Sequence, residues 1–135
     1  MEKKASELLG QRVIAGVTLE TGPSIRKLIG GGLGLAIAGV ESVKAAVPGD
    51  HKGLHYVGGG PTKVGFFSLE RGLFKPSINE LLVERPREDV AAVEIKKGAM
   101  RPAHFVFKDG TDYVLLCARI NTKKLKKVKE LLTAE

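Results

Sequence analysis

Apolar and polar positions alternate along Arg12-Val13-Ile14-Ala15-Gly16-Val17-Thr18-Leu19-Glu20 until Thr21-Gly22-Pro23 breaks the run. A two-residue period with branched side chains predicts a first strand there. Runs of similar character at 64–70, 80–85 and 90–96 are separated by Pro, Gly, Asn and Asp, and a weaker one covers 53–58 before Gly59-Gly60-Pro61. The clearest signal is Phe105 to Leu116, where two β-rich halves meet at Asp109-Gly110. The preference of that dipeptide for positive φ predicts a type I′ hairpin. After Asn121 the period changes: Leu125, Val128 and Leu132 recur at i, i+3 and i+7, with Lys123, Lys124, Lys126, Lys127 and Lys129 on the other faces. This spacing predicts an amphipathic helix over 122–133 with Asn121 as its N-cap. Residues 1–9 form a short helical lead-in.

Seven short strands, turn signals every 8–15 residues and one closing helix predict an α+β fold: an antiparallel β-barrel or sandwich of about seven strands closed by the C-terminal amphipathic helix. A parallel α/β sheet needs a crossover helix between successive strands, and the sequence lacks them. At 135 residues, the whole of 1–135 reads as one domain, large enough to fold without a disulfide or metal staple.

Residues 24–47 depart from this pattern. Leu28 to Val40 is a charge-free run of thirteen residues holding five glycines, bounded by Lys27 and Glu41. As a helix it reaches about 20 Å, short of the ~30 Å hydrocarbon core of a bilayer. Each glycine disfavours that helix by about 0.8–1 kcal/mol relative to alanine, so close packing has to offset the deficit. Gly30, Gly34 and Ala38 repeat at four-residue spacing, which places small residues on one face and permits close backbone approach. The expectation is a glycine-rich apolar helical insertion after the first strand, with Gly30, Leu33, Gly34, Ile37 and Ala38 as a self-association face. Packing across the chain's own sheet, or a glycine-rich loop, explains the same residues without a partner.

Net charge and candidate chemistry narrow the picture. Twenty-two Lys and Arg against fifteen Asp and Glu leave +7, which biases the surface towards anionic partners. The lone cysteine, Cys117, lies in an apolar run and reads as a buried inert thiol, and no secretory leader pattern is present, so the expected location is cytoplasmic, extending to the inner face of the membrane. Gly58-Gly59-Gly60-Pro61-Thr62-Lys63 lacks the order of a phosphate-binding loop, and the glycines at 30–34 do not fit a dinucleotide fingerprint. His51 and His55 read as a surface loop pair among Pro48, Gly49 and Gly53, and His104 as a half-exposed strand residue with no partner visible. Glu84, Glu88 and Asp89, interleaved with Arg85 and Arg87, read as a solvated strand end with compensating charges. No catalytic residue, metal site, cofactor or small-molecule substrate is implied.

Seven strands and a closing helix resemble the pleckstrin homology-like (PH-like) fold, especially its bacterial versions. The resemblance is carried by Lys63-Val64-Gly65-Phe66-Phe67-Ser68-Leu69, by Arg87-Glu88-Asp89-Val90-Ala91-Ala92-Val93, by Phe105-Val106-Phe107-Lys108-Asp109-Gly110, and by Lys124-Leu125-Lys126-Lys127-Val128-Lys129-Glu130-Leu131-Leu132. It runs from about residue 11 to 133. The chain departs from that pattern in lacking a tryptophan in the closing helix and in carrying the glycine-rich segment where lipid-binding members have a compact basic motif, so phosphoinositide binding is not carried over. The resemblance implies a scaffold whose bacterial relatives are often oligomeric.

The function expected from the sequence is that of a non-enzymatic scaffold that self-associates or docks on a protein partner through 24–47. The first alternative is a peripheral membrane module in which Leu28, Ile29, Leu33 and Leu35 enter the interface and Arg26, Lys27, Lys44 and Lys52 meet anionic headgroups. The second is non-specific nucleic-acid binding through the lysine-rich helix, which lacks aromatic residues for base stacking and ranks last.

Overall fold

Eight strands and two helices follow one another in the computed structural model, which describes residues 1–21 and 44–133. Helix α1 (Glu2–Leu9) precedes β1 (Ala15–Glu20); β2 (Lys44–Ala46), β3 (Leu54–Gly59), β4 (Lys63–Arg71), β5 (Pro76–Pro86), β6 (Val90–Ile95), β7 (Arg101–Phe107) and β8 (Thr111–Cys117) follow, and α2 (Thr122–Thr133) ends the described chain. Seven strands form one sheet in the order β5-β4-β3-β1-β8-β7-β6, and β2 adds to β8. Every pairing is antiparallel except that of β2 with β8.

The alternation legible in the sequence divides the core in two. Val17, Leu19, Val57, Val64, Phe66, Phe105, Phe107 and Leu115 point to one face and are covered by Leu125, Val128 and Leu132 of α2. The intervening positions Tyr56, Phe67, Leu69 and Ile78 point to the other and meet Ala5 and Leu9 of α1. Phe66 of β4 touches Phe105 of β7 edge-on at 5.5 Å and Tyr113 of β8 at 5.0 Å between ring centroids. Strands β4 and β7 are four places apart in the sheet, so the sheet curls around this aromatic group. The curl does not close into a ring: among the described residues no strand pairing joins β5 to β6. The expected barrel or sandwich is thus an open curled sheet with a helix on its concave side.

Several local expectations change. Within the expected helical insertion over 24–47, Lys44–Ala46 form the three-residue strand β2 instead of helix, because they pair along β8, and the tight turn Pro48–Asp50 follows. Three residues are too few to carry a period. The remainder of that segment, 22–43, lies outside the described residues. The 107–111 hairpin has a three-residue turn instead of type I′: the Gly110 N–H donates to the Phe107 carbonyl, Gly110 alone of the turn has positive φ (94°), and Asp109 Oδ1 accepts from the Thr111 N–H. Asn121 does not cap α2. A 3₁₀ turn over Arg119–Asn121 runs straight into the helix, and the Asn121 side-chain amide donates to the Thr18 carbonyl, tying the helix start to β1.

Gly16 shows why one glycine is required. A Cβ there would lie 1.9 Å from the Tyr56 hydroxyl oxygen, which crosses over the Gly16 backbone from β3. The same burial pushes the Tyr56 phenol up to about 12.

Candidate functional site

Strands β4 and β5 are joined by Gly72-Leu73-Phe74-Lys75, and the side chains at the tip of this hairpin are Leu73, 97% exposed, and Phe74, 98% exposed. Arg71 pairs across the mouth of the turn with Pro76, and Gly72 is needed because a Cβ would lie 2.6 Å from the Lys75 carbonyl oxygen. Apolar side chains at a turn gain nothing from the fold, since neither touches either core cluster. Two adjacent ones, flanked by the exposed cations Arg71 and Lys75, form a small apolar point with a positive charge on either side. The sequence did carry a signal for it: two large apolar residues between the turn markers Gly72 and Pro76, where turns are ordinarily polar.

Behind this tip lies a depression of about 290 Å³ whose lining includes Glu20, Thr21, His51, Lys52, Leu69 and Arg71. Thr21 and Gly53 hold its rim together, with the Thr21 N–H donating to the Gly53 carbonyl at 2.9 Å and the Gly53 N–H donating to Thr21 Oγ1 at 2.6 Å. The fold therefore brings Lys52, expected from sequence to meet headgroups, beside Arg71, which was not singled out. Lys44 is exposed but starts β2 against Gly110 and Thr111 and does not line the depression. Arg26 and Lys27, like Gly30, Leu33, Gly34, Ile37 and Ala38 of the expected self-association face, lie outside the described residues. So do the expected interface-entering residues Leu28, Ile29 and Leu35.

His51 and His55 are not the surface pair expected. His55 lies in β3 with no exposed surface, paired across the sheet with Leu19 and Ser68, while the His51 ring stacks on it at 5.1 Å. Its Nε2 donates to the His51 carbonyl at 2.8 Å, and its Nδ1 has no partner among the described residues. Burial, with a smaller effect from His51, lowers its pKa from 6.5 to about 4.

A larger cleft, about 560 Å³, opens between the β3–β4 turn, the end of β5 and the end of α2, with Lys63, Glu84, Arg85, Arg87, Glu88 and Leu132 along it. Its cations are engaged in holding the fold. Arg87 Nη1 donates to the carbonyls of Gly60 (3.1 Å) and Pro61 (2.9 Å), and Nη2 donates to that of Leu131 near the C-terminal end of α2, where the helix dipole favours a cation. Arg85 donates to Asp109 at 2.8 Å and lies 4.6 Å over the Phe107 ring. Asp109 is held down to about 2, first by that hydrogen bond. The run 84–89 thus does not neutralise itself locally as its alternating charges suggested: its two arginines serve distant partners.

Cys117 is buried, its thiol bonds the Ala118 carbonyl at 3.3 Å, and burial raises its pKa, which suits an inert thiol. His104 has a partner invisible in sequence: its Nδ1 lies 2.8 Å from Asp112 Oδ2, with 12% and 4% of the two side chains exposed. Among the described residues no three His, Cys, Asp or Glu side chains gather as a metal site, and no helix is long and apolar enough to cross a membrane. No family model, curated protein or solved structure matches the chain, so what it does has to follow from its own surfaces.

Proposed function

We propose that this chain is a non-enzymatic, PH-like module that docks peripherally on an anionic membrane surface through the β4–β5 tip. The observation that carries the reading is the pair Leu73 and Phe74, almost fully exposed at a hairpin end and flanked by Arg71 and Lys75. In water these side chains stabilise nothing. Removal from water stabilises each by about 1.5–3 kcal/mol, and each nearby cation adds about 1 kcal/mol at an anionic surface. Neither contribution alone holds a protein on a bilayer, but an apolar insertion together with a basic patch does. Lys52, which lines the depression behind the tip together with Arg71, supplies a further positive charge. The PH-like part of the reading is supported by the seven-strand path, with β8 returning to β1, and by the C-terminal helix on the concave face.

Flotation with vesicles of phosphatidylcholine containing phosphatidylserine, against phosphatidylcholine alone, tests it. The wild-type chain floats with the anionic vesicles and less as salt rises. Leu73→Ser with Phe74→Ser lowers the partition coefficient at least 100-fold, and Lys52→Glu with Arg71→Glu removes most of the salt dependence. Wild-type protein left behind by anionic vesicles at low ionic strength, or undiminished binding by the Leu73/Phe74 double variant, overturns the reading.

A further inference from the structure

The two edges of the open sheet are unlike. Strand β5 carries the marks of a protected edge: Pro76 and Pro86 at its ends, Glu80 and Glu84 within it, and two register shifts against β4. Strand β6, Val90-Ala91-Ala92-Val93-Glu94-Ile95, has no proline, no lysine and one charge. Its partner on one side is β7; on the other, no strand bonds to it among the described residues. Val93 is buried beneath α2 and Val90 and Ile95 pack partly against the same core, while Ala91, Ala92 and Glu94 keep part of their surface open. An apolar strand with an unpaired row of N–H and C=O groups is a template for a further strand.

The flanks of β6 specify which strand. Glu88 and Asp89 form the turn that leads into it, and Lys96 and Lys97 follow it. None of these four groups is in an ion pair among the described residues. The segment is therefore acidic, then apolar, then basic, which is self-complementary when reversed. An antiparallel copy paired about a two-fold axis at Val93 brings Asp89 of each chain opposite Lys97 of the other, with Ala91 opposite Ile95. A parallel copy would set acid against acid and base against base. Opposite charges across a strand pair stabilise it and like charges destabilise it.

From the free edge and this charge order we infer that the chain forms a two-fold symmetric dimer by antiparallel pairing of β6 with β6 of a second copy. The dimer rests on residues separate from both the membrane-facing tip and the 22–43 segment.

Two charge-reversed chains test it by light scattering across a dilution series. In one, Glu88→Lys and Asp89→Lys make both flanks basic; in the other, Lys96→Glu and Lys97→Glu make both acidic. Wild type is expected at twice the 14.4 kDa chain mass, each double variant at the single-chain mass with dimerisation weakened at least tenfold, and their equimolar mixture at the dimer mass again. Far-UV circular dichroism confirms that each variant is folded. Should a variant unfold, amide exchange of wild-type β6 replaces it, with protection of residues 91–95 rising with protein concentration. A wild-type monomer throughout, double variants that keep the dimer mass, a mixture that stays monomeric, or exchange in β6 independent of concentration overturns the inference.

Discussion

Lowering the pH from 7 to 5 should destabilise this protein through one side chain, His55. Its ring is sealed in β3, with Nε2 donating to the His51 carbonyl and Nδ1 without a partner among the described residues. Protonating Nδ1 would place a charge in the core and create a buried donor with nothing to receive it. The folded pKa of about 4 against 6.5 expresses this penalty. Because the folded value is the lower one, the unfolded chain takes up the proton first as the pH falls. Stability is therefore full above pH 6.5, declines between 6.5 and 4, and levels off below 4. The shift corresponds to a total loss of about 3 kcal/mol, of which about 2 kcal/mol has gone by pH 5. Against a typical 5–15 kcal/mol for a domain, that is a large share. Urea unfolding at pH 7, 6 and 5 measures it, followed by far-UV circular dichroism because the chain has no tryptophan. The midpoint is expected to fall by roughly 1 M between pH 7 and 5. His55→Gln lowers stability at pH 7 but loses most of the pH dependence. An unchanged wild-type midpoint, or the same acid-induced loss in His55→Gln, refutes the reasoning.

Other perturbations have equally definite outcomes. Arg87→Met removes the donors that tie the β3–β4 turn to the end of α2 and should lower stability by about 2–3 kcal/mol, seen in the same urea titration. Gly16→Ala forces Tyr56 out of its place over the β1 backbone and should cost about 1–3 kcal/mol, with a changed tyrosine near-UV signal; an unperturbed signal contradicts the close approach. Gly110→Ala places a side chain at φ 94° and should cost about 1 kcal/mol or more. Leu73→Ser with Phe74→Ser should leave the thermal midpoint nearly unchanged, within about 0.5 kcal/mol, because neither residue packs on anything.

Much of the fold was legible in the chain, because strand and helix periods are local properties. The run 64–70 read as a strand, and the structure sends its adjacent rings Phe66 and Phe67 to opposite faces, while the spacing of Leu125, Val128 and Leu132 assigned the buried stripe of α2. The positions of the later strands, the 107–111 turn and the terminal helix followed from the same local signals. Tertiary structure decided what depends on residues far apart in sequence. The curl of the sheet is set by Phe66 meeting Phe105 and Tyr113; β2 exists because β8 offers it an edge; Asn121 serves β1 instead of capping its helix. Arg85 and Arg87, which looked like half of a local charge run, find Asp109 and three carbonyls across space. The candidate surfaces divide in the same way. The apolar pair in the β4–β5 turn and the acid-apolar-base order of 88–97 were present in the sequence, but only the structure leaves the first at a tip and the second at a free edge. Sequence alone determines which side chains prefer to leave water. Which of them the finished fold fails to cover is set by long-range packing, and Leu73 and Phe74, together with the unpaired edge of β6, are such places.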